Sequence, residues 1–161
     1  MAATDLNDLH KFEYHFEVAA VTFLNSATGI DVFRTTIETN MITPRLEIEA
    51  QVTQALDPAI LHGGGASPTE LDYSAFKAAF MCRVVTDNTL AGSADDHANY
   101  LTECRVALMR SGTNWNNTNL PYYDLKYIRF AGMFKSTDGD LNITQLDYDL
   151  NFEIRNDAWP V

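Results

Sequence analysis

The chain has 161 residues and carries 22 acidic against 11 basic side chains, a net charge of −11. A domain of this size buries roughly 68–70% of its unfolded surface, so a single domain over 1–161 with its own core is expected. The carboxylate excess argues against a protein that grips DNA or RNA, because that grip comes mostly from Lys and Arg neutralising phosphates. No apolar run approaches the roughly 18 residues of a membrane span, and no charged and then apolar leader opens the chain, which fits soluble synthesis in the cytosol.

Between Asp5 and Leu24 the apolar residues Leu9, Phe12, Phe16, Ala19, Ala20 and Phe23 recur at helical spacing, with Asp5 or Asn7 as the cap. Residues 26–44 read equally as a short strand at Val32–Ile37 or as a loop that embraces a neighbour. From Arg45, the alternation of Leu46, Ile48, Ala50 and Val52 with Glu47, Glu49, Gln51 and Thr53 predicts a half-buried strand that ends at Asp57-Pro58. Gly63-Gly64-Gly65-Ala66-Ser67-Pro68 continues neither a helix nor a strand, so a long loop is expected at about 57–73. Loops of such length are disordered or serve contact.

The run Ala75–Val85 places Phe76, Ala78, Phe80, Cys82 and Val84 on one face, and Ala79, Met81 and Val85 add apolar cover to the other. That predicts a central strand covered on both sides over part of its length. Ser93 can cap a helix with Asp95 and Asp96 in its first turn, a buried stripe of Tyr100, Leu101, Cys104, Ala107 and Leu108, and an end at Ser111-Gly112. After an Asn-rich loop bearing Trp115, two long strands follow, Tyr122 to Lys135 and Asn142 to Ile154, joined at Thr137-Asp138-Gly139-Asp140. Asp-Gly between alternating segments signals a hairpin. The fold class is therefore α+β, in the order helix-strand-strand-helix-strand-strand, with a mainly antiparallel sheet and two helices packed on one face.

Chemical motifs are sparse. The three glycines lack the spacing and the Lys of a phosphate loop. Asp95, Asp96 and His97 are consecutive, about 100° apart on a helix, so they suit helix-start electrostatics rather than chelation. His10 and His15 stand five apart and share no helix face. Asp138-Gly139-Asp140-Leu141-Asn142 opens like a calcium loop, but Ile143 fills the glycine position and Asp149 that of the bidentate Glu. Cys82 and Cys104 read as a buried pair of thiols. No nucleophile motif is present, and no metal or cofactor is expected. From Ser136 onward Arg155 stands alone against Asp138, Asp140, Asp147, Asp149, Glu153 and Asp157, so the C-terminal quarter forms a negative surface.

Taken together, Arg45-Leu46-Glu47-Ile48-Glu49-Ala50, the run 75–85, Asp95-Asp96-His97 with Tyr100-Leu101 and Val106, and Tyr127-Ile128-Arg129-Phe130-Ala131-Gly132 beside Leu146-Asp147-Tyr148-Asp149-Leu150 resemble the tail terminator or tail completion proteins of tailed bacteriophages. The likeness rests on a Pro-led strand at Pro44, a strand followed by an acidic loop and a His-containing helix, and a closing Leu-x-Tyr strand. The long N-terminal helix and the Gly63–Gly65 loop depart from that pattern and leave open a related neck or head-tail connector protein. A small soluble α+β ligand-binding domain or enzyme is the other alternative.

The resemblance implies a non-enzymatic virion protein, made in the host cytoplasm and located in the tail or neck. It would form a ring, usually of six copies, that ends the tail tube and docks to the head-tail connector. Its partners would be other copies of itself, the tail tube protein and the connector protein, with no membrane and no specific DNA binding. His62, Gly63, Gly64, Gly65 and Pro68 are the expected subunit contact, and Asp138, Asp140, Asp147 and Asp149 the expected lumen-facing acids, beside which DNA passes.

Overall fold

The computed structural model describes residues 2–35, 42–58, 73–109 and 120–160. The elements are α1 (Leu6–Leu9), α2 (Phe12–Thr28), β1 (Asp31–Arg34), β2 (Arg45–Pro58), β3 (Tyr73–Asp87), α3 (Ser93–Met109), β4 (Tyr123–Asp138), β5 (Leu141–Ile154) and a final 3-10 turn at Asn156–Ala158. The strands form one sheet in the order β1-β2-β3-β5-β4. Among the described residues only the β1–β2 pair is parallel. Mixed α+β architecture and a mostly antiparallel sheet thus agree with the sequence reading, whereas the element order and the helix packing differ in detail, with α1 and β1 as additional elements.

The expected N-terminal helix is broken at His10 and Lys11. Asp5 caps α1 by accepting the Asp8 N–H at 2.8 Å, as its spacing suggested. The carbonyls of the break are then taken by side chains from elsewhere. The His15 Nε2 lies 3.2 Å from the Asp8 carbonyl, and the Tyr123 hydroxyl donates to the Leu9 carbonyl at 2.6 Å. Helix α2 runs past Leu24 to Thr28 and ends where Gly29 adopts a left-handed φ of 72°, its N–H returning to the Asn25 carbonyl. Of the ambiguous stretch 26–44, residues 31–34 form β1, whereas Thr36 and Ile37 lie outside the described residues.

The core lies between the two long helices and one sheet face. Phe12 stacks on Phe152 at 3.6 Å, Phe76 on Phe152 at 5.3 Å, and Phe16 meets Phe80 edge-on at 5.1 Å. Leu46, Ile48, Cys82, Val84, Leu146 and Leu150 complete it. β3 is central, between β2 and β5. Its second face is less covered than the sequence suggested: Ala79 is exposed, Met81 half-buried and Val85 alone buried, because both helices occupy the opposite face.

Two turns follow local chemistry closely. β4 and β5 pair from Asp138 and Leu141, leaving Gly139-Asp140 as a two-residue loop, with Gly139 at φ 58°. A positive φ at the first loop position alone is the type II′ pattern that fits the twist of a hairpin. At α3 the first helical bond runs from the Asp96 N–H to the Gly92 carbonyl, so Gly92, at φ 78°, occupies the cap expected of Ser93. The expected helix end at Ser111-Gly112 and the Trp115 loop lie outside the described residues.

Candidate interface: the open sheet face and its two edges

The face of the sheet turned away from the helices is polar and fixed by a chain of charged hydrogen bonds. Glu47 is buried, and its carboxylate accepts from the Arg45 Nε at 2.7 Å and from an Arg83 guanidinium N–H at 3.0 Å. Arg83 also donates to the Gln145 side-chain oxygen at 2.9 Å, and the Gln145 amide donates to Asp147 at 2.9 Å. This network ties β2, β3 and β5 together. A shallow trough of about 320 Å³ lies along it, lined among others by Glu49, Gln51, Met81, Ala131 and Asp149.

The two sheet edges differ. On the β2 side, β1 pairs only as far as Ile48 among the described residues. Beyond that point the backbone donates to helix carboxylates: the Ala50 N–H to Glu17 at 2.9 Å and the Val52 N–H to Glu13 at 3.0 Å. Glu17 is itself buried and holds the Arg34 Nε at 2.9 Å. On the other side, β4 is the last strand and is unpaired along its outer edge among the described residues. From Lys126 to Asp138 nearly every residue is exposed, including Tyr127, Phe130, Met133 and Phe134. The helix layer covers only the start of β4, where Tyr123 is buried edge-on against Phe12 at 5.2 Å. Farther along the strand, the Arg105 guanidinium lies 5.5 Å over the Phe130 ring.

The sequence-predicted acids divide between two places. Asp138 and Asp140 sit at the β4–β5 hairpin, whereas Asp147 and Asp149 lie within β5 on the open face. Asp149 pairs with Arg129 at 3.1 Å across an exposed surface, an interaction worth little on its own. His62, Gly63, Gly64, Gly65 and Pro68 lie outside the described residues.

His97 does join a site, though not with its acidic neighbours. Its Nδ1 is 2.7 Å from the Thr86 hydroxyl on β3 and its Nε2 2.8 Å from the Thr144 hydroxyl on β5, so the ring clasps α3 to the sheet. Both threonines are buried. Burial, aided by the nearby Lys135 charge, holds the imidazole pKa below its ordinary 6.5. Among the described residues no three His, Cys, Asp or Glu side chains gather as metal ligands would. Cys82 and Cys104 face each other with sulfurs 3.7 Å apart; their hydrogen bond and burial push the Cys104 thiol pKa well up, away from the thiolate a nucleophile needs.

Glu13, Glu17, Thr86 and Thr144 were not singled out from sequence. For the two glutamates a signal existed, since they stand four apart beside Phe12 and Phe16 at the border of the buried stripe.

No family model matches the chain, and no curated protein matches it either. Among solved structures, a chain described as "Virion of native gene transfer agent (GTA) particle" is similar at 14% identity, with 88% of this chain and 92% of that chain covered and a TM-score of 0.51. At this identity the likeness concerns the fold: the arrangement of helices and sheet described above also occurs in a chain of that particle. No helix among the described residues is long and apolar enough to cross a membrane.

Proposed function

We propose that the protein is a non-enzymatic structural component of a phage-like virion, acting as a ring subunit that terminates the tail tube and joins it to the head connector. The observation that carries this reading is the fold shared, over most of both chains, with a chain of a gene transfer agent virion. The particular role comes from the resemblance of the 45–150 region to tail terminators. Two features of the molecule support a part in assembly. The open sheet face is tied together by the Glu47-Arg83-Gln145-Asp147 network, and β4 offers a long strand with apolar side chains and, among the described residues, an unpaired outer edge.

In this reading the copies form a ring, with six as the usual number in the resembled family. The Gly-rich segment with His62, Gly63, Gly64, Gly65 and Pro68 is the subunit contact. Asp138 and Asp140 at the hairpin and Asp147 and Asp149 on the open face line the passage, where carboxylates keep DNA from adhering. The tail tube protein and the connector protein flank the ring.

Light scattering of the purified protein, alone and with tail tubes, together with a micrograph of the native assembly, tests the proposal. A closed ring seated at the end of the tube is expected. A strict monomer at high concentration that never joins tubes overturns the ring, and finding the protein elsewhere in the particle overturns the terminator role while leaving the virion reading intact.

A further inference from the structure

We propose that the outer edge of β4 accepts an extended segment of a different polypeptide as a sixth strand, and that this segment alternates apolar with acidic residues. The two edges of the sheet differ. A strand edge with unpaired N–H and C=O groups is a template for another strand, and proteins normally blunt such edges. Here the opposite edge is blunted, because β1 has only four residues and beyond it Glu13 and Glu17 take the N–H groups of Val52 and Ala50 of β2. The β4 edge has no such cover among the described residues.

The side chains around that edge define what fits. On the open face, Tyr127 and Phe134, which pair with Asn151 and Gln145 of β5, are 36% and 64% exposed. Alternate side chains of a strand point to opposite faces, so the apolar set of an incoming strand would cover these two rings while its acidic set faces the helix side.

Charge then selects among occupants. Arg105 and Lys135 form no ion pair among the described residues, whereas Lys126 and Arg129 are already matched by Glu153 and Asp149. The helix side of the edge is thus locally cationic on a chain whose net charge is −11. A second copy pairing β4 with β4 would bring the same cations together, and pairing β4 to the other edge of a copy would meet only the four-residue β1 and, beyond it, a β2 backbone already capped by Glu13 and Glu17. An acidic strand from another chain satisfies both Arg105 and Lys135 as its backbone completes the ladder, as in β-strand addition generally.

The test uses the full chain with labelled peptide probes, an alternating Val-Glu octamer and its Val-Lys counterpart, in roughly 150 mM salt. Fluorescence anisotropy should show the acidic peptide binding at least about tenfold tighter than the basic one, with the affinity falling as salt rises. An Arg105→Glu/Lys135→Glu double variant, both changes being at exposed positions, should lose about tenfold for the acidic peptide and gain for the basic one. Hydrogen exchange should show new protection across 128–136 when the acidic peptide is bound.

Equal binding of the two peptides, or none while 128–136 exchanges freely, overturns the proposal. So does protection of 128–136 in the protein alone that grows with its concentration, which would assign the edge to a second copy. Stronger binding of a thymidine oligonucleotide than of the acidic peptide would assign it to single-stranded nucleic acid. These outcomes are independent of whether the protein forms a ring on tail tubes.

Discussion

Glu13 and Glu17 stand four residues apart on α2, a rise of about 6 Å, and the N–H groups they accept, those of Val52 and Ala50, lie two residues apart on β2, about 6.7 Å along an extended chain. The two repeats coincide closely enough for one helix face to cap a strand edge, with α2 running opposite to β2. Helix carboxylates here take the place of a neighbouring strand's carbonyls.

Removing Glu17 leaves the Ala50 N–H and the largely buried Arg34 without their partner. Glu17→Ala should cost about 3–5 kcal/mol, as breaking a buried pair does. Glu13→Ala, at a half-buried position, should cost about 1–2 kcal/mol. Urea unfolding of each variant gives the difference, and equal, small losses would contradict the capping account.

The His97 clasp makes stability depend on pH in one direction. The folded imidazole has its pKa below the 6.5 of the unfolded chain, so below about pH 6.5 the unfolded state binds protons that the folded state resists. The stabilisation is present in full above 6.5 and is lost as the pH falls through the depressed value. His97→Ala should cost about 2 kcal/mol at pH 8, through two buried threonine hydroxyls left unmatched, and should remove this acid dependence. Denaturant unfolding from pH 8 to 5 measures both, and an unchanged slope in the variant would show that another group titrates.

Cys82 and Cys104 should resist a thiol reagent in the native protein and react only on unfolding, since both are fully buried and the Cys104 pKa is raised. Cys104→Ala should cost about 1–2 kcal/mol through lost packing between α3 and β3. Rapid labelling of the folded protein would mean that α3 lifts from the sheet far more often than this packing allows.

Features set by neighbouring residues were legible in the sequence. The near-continuous apolar run at 75–85 placed β3 in the middle, Asp138-Gly139 placed the hairpin, and the Cys104-Leu108 stripe placed the inner face of α3. Features set by partners far along the chain were not. The helix break at His10 depends on Tyr123 reaching the Leu9 carbonyl, and the parallel β1 is anchored by Arg34 on Glu17. His97 reads as part of a helix-start cluster until Thr144 is brought against it. β4 alternates like a half-buried strand, yet from Lys126 onward it is largely exposed on both faces because the helices cover only its start at Tyr123 and Leu125, a fact of layer width that no periodicity records.

The two groups of acids proposed to line the passage can be separated by substitution. Asp140 and Asp147 are seven positions apart, roughly 23 Å along an extended strand, so the hairpin pair and the β5 pair cannot act at one constriction. The unmodified protein should show no measurable affinity for duplex DNA in roughly 150 mM salt, since such binding needs several Lys or Arg contacts to phosphate. An Asp138→Lys/Asp140→Lys variant changes only exposed hairpin positions and should fold normally. An Asp147→Lys/Asp149→Lys variant removes the acceptor of Gln145 and the partner of Arg129, so it should also lose about 1 kcal/mol or more of stability. If both pairs face passing DNA, each variant should give assembled particles that are partly filled or slow to release DNA. If only the hairpin variant does so, the passage is lined by the β4–β5 turn, and the open face belongs to a protein contact. Normal filling with both variants, or tight duplex binding by the unmodified chain, would remove the acidic lining from this account.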